Sequence, residues 1–102
     1  MSNKKQIKIS QGDLIAIYGS DYHFFEEKII PNCYCGKCKT PYQSIITNYE
    51  IFLNDLNDII LRGFCAKCGN PINRYLETGE VEKFQKRIEK VKGNLKKAGY
   101  EI

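Results

Sequence analysis

The clearest periodicity lies in the last quarter of the chain. Val81, Phe84, Ile88, Val91, Leu95 and Ala98 recur at spacings of three and four among charged and amide residues, a two-per-heptad stripe that predicts an amphipathic helix over 79–98. Glu80 and Glu82 at its start and Lys96 and Lys97 at its end complement the helix dipole, and Gly99 supplies a left-handed stop. Gly93 weakens it by about 1 kcal/mol relative to alanine. Over 42–53 the period changes to two. Ile45, Thr47, Tyr49, Ile51 and Leu53 fall on one side of an extended chain rich in β-branched and aromatic residues. The run Asn54-Asp55-Leu56-Asn57-Asp58 has the composition of a solvated turn, 59–64 returns as a strand, and 72–76, after Pro71, is a further strand. The turn lacks the glycine and distal glutamate of a calcium loop, which sets calcium aside.

The N-terminal part is extended at 6–9 and then admits two readings. Ser10 and Asp13 have capping-box spacing before Leu14, Ile15 and Ile17, while Gly12-Asp13 between Ile7/Ile9 and the run 14–18 suits a hairpin. Tyr22, Phe25 and Ile29 favour a short helix after the Gly19-Ser20 break, and Pro31 ends it.

The chain has 102 residues, 42% hydrophobic and 27% charged. That length suits one domain over 1–102, and the composition is that of a globular protein rather than a disordered one. No apolar run approaches the roughly 18 residues of a membrane helix, and the first residues lack the apolar stretch of a secretory signal, so the expected location is cytoplasmic, away from membranes. The net charge of +4 is concentrated in 80–97, where seven basic residues face three acidic ones; the rest is nearly balanced. Global steering toward nucleic acid is therefore modest, and a basic footprint must be local.

Five cysteines are too few for a disulfide scaffold and odd in number, and in a reducing compartment metal is the better reading. Cys35-Gly36-Lys37-Cys38 and Cys65-Ala66-Lys67-Cys68-Gly69 form two C-x2-C pairs separated by 26 residues. Two intervening residues let both sulfurs of a pair turn toward one point while turn amides donate to the thiolates, and two such knuckles supply four corners of a tetrahedron. Gly69 fits a turn that needs positive φ, and Gly36 relieves crowding in the first pair. The metal ligands expected are Cys35, Cys38, Cys65 and Cys68. Cys33 is a spare buried thiol, an alternative ligand in place of Cys35, or a reactive thiol beside the site. Serine at any of the four ligands is expected to unfold the protein. His23 has no Cys, Ser or Asp partner at motif spacing and reads as a surface or packing residue.

The knuckles, the hairpin between them and the strand after Pro71 resemble the zinc-ribbon class over residues 33–76. The resemblance implies a small α+β fold: zinc-ribbon antiparallel β hairpins, a flanking N-terminal segment over 10–32 and a C-terminal amphipathic helix. It implies Zn2+ held structurally, because four thiolates leave no open coordination position. The two pairs also resemble rubredoxin, with Cys68-Gly69 and Pro71 matching its knuckle, which would imply iron and electron transfer; rubredoxins are acidic, and here Lys39 stands where a knuckle glycine is expected. Cys33-Tyr34-Cys35-Gly36 and the run from Phe64 to Gly69 are similar to the first and last motifs of the glutathione-linked formaldehyde-activating fold, whose middle cysteines have no counterpart, so its activity is not carried over.

No phosphate loop, spaced carboxylate pair or nucleophile elbow is present, so an enzyme is not expected. Two functions compete. Lys37, Lys39, Arg62, Lys67 and Arg74, interleaved with Tyr34, Tyr42, Phe64 and Tyr75, suit contact with nucleic acid, as in a transcription-associated ribbon; the same lysines would equally offset the −2 charge of a tetrathiolate site. A protein adaptor or regulatory module would instead use the C-terminal helix, with a homodimer through Val81, Phe84, Ile88, Val91 and Leu95 as one form. Docking of that stripe onto the ribbon is the competing use of the same residues.

Overall fold

The computed structural model describes residues 6–39 and 44–99. The expected beginning of the ribbon strand at Tyr42, and Tyr42 as a stacking ring, lie outside them. The chain runs through strand β1 (Ile7–Ile9), helix α1 (Gln11–Tyr18), a 3-10 turn (Gly19–Asp21), a short helix α2 (Tyr22–Phe24) that continues as a π-helical turn (Phe25–Ile29), strands β2 (Ile46–Leu53), β3 (Ile59–Cys65) and β4 (Pro71–Leu76), a 3-10 turn (Thr78–Glu80) and helix α3 (Glu82–Lys97). The four strands form an antiparallel sheet in the order β1-β2-β3-β4. This is the small α+β architecture expected, with the C-terminal helix trimmed from 79–98 to 82–97.

The N-terminal alternatives resolve in favour of the helix. The Ser10 hydroxyl accepts from the Asp13 amide at 3.1 Å and the Asp13 carboxylate accepts from the Ser10 amide at 3.1 Å, which satisfies two amides that a helix start leaves orphaned. The extended residues before it pair with β2 as its second antiparallel neighbour rather than forming a local hairpin.

Among the described residues the helices cover one face of the sheet and leave the other without a helix. Ile9, Ile51, Leu53, Ile59, Leu61, Ile72 and Leu76 of the inner face share a core with Leu14, Ile17, Phe25, Ile29, Ile88 and Val91 from the helices. Phe25 touches Tyr18, Tyr22 and Tyr49 ring to ring. The apolar stripe of α3 is spent here: Ile88 is fully buried, Val91 nearly so, and the Phe84 ring lies 4.9 Å from that of Tyr18. A homodimer through Val81, Phe84, Ile88, Val91 and Leu95 would have to unpack this helix, so the stripe's use is docking onto the chain's own sheet; only Val81 is exposed. Two basic residues of α3 are spent as well. Arg87 donates to the carbonyls of Ile17 (2.9 Å) and Tyr18 (3.1 Å), closing the C-terminus of α1 with positive charge, and Lys92 donates to the Asn54 carbonyl at 3.0 Å.

That carbonyl belongs to a turn that is solvated only at Asp55 and Leu56, less than its composition suggested. Asn54, Asn57 and Asp58 are buried. The Asn54 side chain accepts from the amides of Leu56 and Asp58, both at 2.9 Å, and donates to the Tyr75 hydroxyl. Asp58 accepts from the same hydroxyl and from the Gly79 amide, and Asn57 donates to Glu89 at 2.7 Å. Buried polar groups must be partnered, and here the partners tie the β2–β3 tip to β4 and α3.

Strand β2 departs from simple alternation. Thr47 faces Phe64 and Glu50 faces Arg62, so three steps on β2 match two on β3. The extra residue is a β-bulge, and Asn48 within it has φ +51°. Inward positions are therefore Ser44 and Ile46 before the bulge and Ile51 and Leu53 after it; Ile45, expected inside, is half exposed. Gly63 lies opposite, where a Cβ would stand 2.7 Å from the Thr47 carbonyl and 2.8 Å from Tyr49 Cβ. Only glycine fits that approach.

Candidate metal centre

At the sheet end remote from the buried turn, two loops meet. The first follows Cys33, which pairs with Ser44 in a two-residue ladder (N–O 2.9 and 3.0 Å); the second joins β3 to β4. Both have one local design. In the first the Lys39 amide donates to the Cys35 carbonyl at 2.9 Å, in the second the Gly69 amide donates to the Cys65 carbonyl at 2.8 Å. Lys39 has φ +55° and Gly69 φ +79°, so the residue after each pair takes the same left-handed turn. Lysine thus occupies the glycine's conformation, which is why the two sequences differ while the knuckles match.

The four sulfurs of Cys35, Cys38, Cys65 and Cys68 all lie within 4.8 Å of one another. Measured separations are 3.5 Å for Cys35–Cys68, 3.6 Å for Cys38–Cys68 and 3.9 Å for Cys38–Cys65. A tetrahedron with metal–sulfur bonds of about 2.3 Å has edges of about 3.8 Å, so the donor set fits a four-coordinate thiophilic ion. Zinc and iron both satisfy that geometry. Cys35 and Cys65 are buried, Cys38 half-buried and Cys68 exposed, so the site sits at the edge of the core with one sulfur toward solvent.

The electrostatics divide each pair. The Cys68 amide, with that of Lys67, holds the Cys65 thiol down at about 6, and the Cys38 amide, 3.4 Å from the Cys35 sulfur, lowers Cys35. The Cys38 thiol, hydrogen-bonded to Cys68, is pushed up to about 12. Without an ion, negative charge is thus favoured on Cys35 and Cys65 and disfavoured on Cys38. An ion, when bound, supplies charge neutralisation and four-way cross-linking.

Cys33 is outside the tetrad. Its Sγ donates to the Ile29 carbonyl at 3.3 Å, and burial raises its pKa; it packs the π-helical turn against the ladder that launches the first knuckle. His23 is exposed, with Nδ1 3.0 Å from the Ser20 carbonyl.

The five basic residues expected to meet nucleic acid separate. Lys37, Lys39 and Lys67 are exposed on the knuckles, and Tyr34 is exposed beside Gly36. Arg62 lies on the open sheet face, donating to Gln6 at 2.7 Å and covering the Phe52 ring at 4.9 Å. Arg74 does not join them: it pairs in register with buried Leu61, and so lies on the inner face, lining a cavity with Tyr18 and Phe84. The inward step from Ile72 to Leu76 passes through Arg74, a period-two signal that the sequence carried.

Among the described residues no helix is long and apolar enough to cross a membrane. Comparison with family models, curated proteins and solved structures produced no match. The four clustered cysteines define a candidate metal-binding module with zinc-ribbon-like knuckles, and no family is assigned.

Proposed function

We propose that this chain is a non-enzymatic module with a structural Zn2+ centre at Cys35, Cys38, Cys65 and Cys68, and that it contacts nucleic acid in the cytoplasm. The observation that carries the reading is the convergence of four sulfurs at tetrahedral distances on knuckles whose lysines are exposed. Four thiolates close the coordination shell, which suits a staple rather than a reaction centre. They also place −2 at that end once the ion is bound, and Lys37, Lys39 and Lys67 more than offset it, leaving about +1 to face a phosphate backbone. That small excess means few phosphate contacts and a shallow salt dependence. The burial of Ile88 and Val91 makes the α3 stripe a less suitable surface for the adaptor reading, and a transcription-associated role is one setting for nucleic-acid contact.

An absorption spectrum and metal analysis of the purified protein test this. With tyrosine but no tryptophan, the chain's own 280 nm band is weak. One zinc per chain in a colourless sample, with nuclease-sensitive absorbance near 260 nm, is expected. A red sample with visible thiolate-to-iron bands would replace the reading with electron transfer.

A further inference from the structure

Among the described residues α1, α2 and α3 all pack on the inner face of the sheet, and the outer face carries no helix; on it Ile60 is buried while the side chains around it are half-buried or exposed. Its side chains fall in rows across the strands. Lys8, Phe52, Ile60 and Tyr75 form one row; Glu50, Arg62 and Asn73 a second; Thr47, Phe64 and Pro71 a third. Aromatic rings thus occupy β2, β3 and β4, with a row of mixed character between them, in which Arg62 stands between Asn73 and a Glu50 that is ion-paired with Lys8 at 2.9 Å. Phe64 and Tyr75 remain 45% and 50% exposed. Beside Phe64 lies a groove of about 450 Å³, walled by Asn48, Glu50, Arg62 and Asn73. The bulge aims Asn48 into it. Among the described residues neither the Asn48 nor the Asn73 side chain has a hydrogen-bond partner, so both amides are available to a ligand.

We propose that this open face is a platform for single-stranded nucleic acid. One base stacks on Phe64 in the groove, its edge meeting the amides of Asn48 and Asn73, while Arg62 meets a flanking phosphate; Lys8 is engaged in neutralising Glu50. A ring beside a groove and amides offering both donors and acceptors match an unstacked base and its hydrogen-bonding edge. A duplex hides its bases from a flat sheet, which projects neither helix nor ribbon into a groove. The inference rests on the nucleic-acid reading above but places the contact on the sheet face instead of the knuckle tips.

The test uses the zinc-loaded full chain and fluorescence anisotropy with 12-nucleotide single strands (dT, dA and U) and a matching duplex, each at two salt concentrations. Single strands are expected to bind more tightly than the duplex. Phe64→Ala should weaken binding about tenfold with the salt slope unchanged, and Phe64→Leu, which keeps the apolar bulk, should weaken it similarly. Asn48→Gly, which preserves the left-handed backbone, should narrow the preference among bases. Arg62→Ala should flatten the salt slope by about one contact. If oligonucleotides bind with salt dependence but Phe64→Leu and Asn48→Gly match the wild type, while Lys37→Ala and Lys67→Ala weaken binding, the sheet-face inference fails and the nucleic-acid reading stands. Binding to none of the oligonucleotides overturns both and leaves the face to a protein partner.

Discussion

Lys39 and Gly69 hold the same left-handed turn with different side chains, and the difference is measurable. A residue with a Cβ is strained there by about 1–2 kcal/mol, a strain glycine escapes. Lys39→Gly should leave thermal stability equal or higher, and Gly69→Ala should lower it by about 1 kcal/mol; a Lys39→Gly protein that melts well below wild type would show that the lysine side chain, and not its backbone, matters. The ligands differ in a second way. Cys35 and Cys65 belong to the apolar core while Cys68 faces solvent. Serine at Cys68 removes an exposed ligand, whereas serine at Cys35 also buries a hydroxyl on a shorter bond, further from the Cys38 amide that now stands 3.4 Å from the sulfur, and a poorly partnered buried polar group costs about 1–3 kcal/mol. Both variants should lose stoichiometric zinc; Cys35→Ser should be unfolded, as expected for any ligand, while Cys68→Ser, changed at the exposed corner, should keep a lowered melt, and equal behaviour of the two would count against the buried position of Cys35.

Helix α3 carries an element-scale prediction. Ile88 is fully buried against the chain's own sheet and helices, so Ile88→Ala should cost about 2–5 kcal/mol in denaturant unfolding and leave the sedimentation coefficient of the folded protein unchanged. A change of oligomeric state at intact stability would return the stripe to self-association. The helix was legible in the sequence because one face of a 3.6-residue period is a long-range, redundant signal, and the C-x2-C pairs were legible because a tetrahedral ion dictates short spacings. Strand β2 was legible as a strand but not in its facing. A one-residue bulge reverses which side is buried, and its signs, Asn48 and the opposing Gly63, are single residues with many other uses. The 54–58 turn was misjudged for a related reason. Composition reports that Asn and Asp make turns but not that Tyr75, Gly79, Glu89 and Lys92, distant in the chain, will close over them.

At the scale of the molecule, alkaline pH probes the core. Burial pushes the Tyr18 phenol up to about 12 from its ordinary 10, and burial of Tyr49 and the Tyr75 bond to Asp58 shift those groups the same way. A raised pKa means the folded state holds the proton more tightly than the unfolded chain. The stability it contributes is therefore complete below about pH 10 and lost as pH rises through about 12. The zinc-loaded protein should unfold across that window, with tyrosinate absorbance near 295 nm rising together with loss of helical circular dichroism. Tyr18→Phe should move the midpoint upward; an unmoved midpoint would assign the transition to other groups. Ionic strength should matter little to it, since the ring lies in the core.

The β2–β3 hairpin is fastened at its two ends by unlike chemistry: sulfur at the knuckles, amides and a carboxylate at the 54–58 turn. A chelator or an oxidant acts on the first fastening and has nothing to act on in the second. Losing the ion should therefore fray the hairpin from one end, with the Ala66 amide, bonded to the Ile45 carbonyl, exchanging hydrogen early and the Asn54 amide, bonded to the Asp58 carbonyl, late. The protein's chemical sensitivity and its mechanical anchorage are thus kept at opposite ends of the same pair of strands.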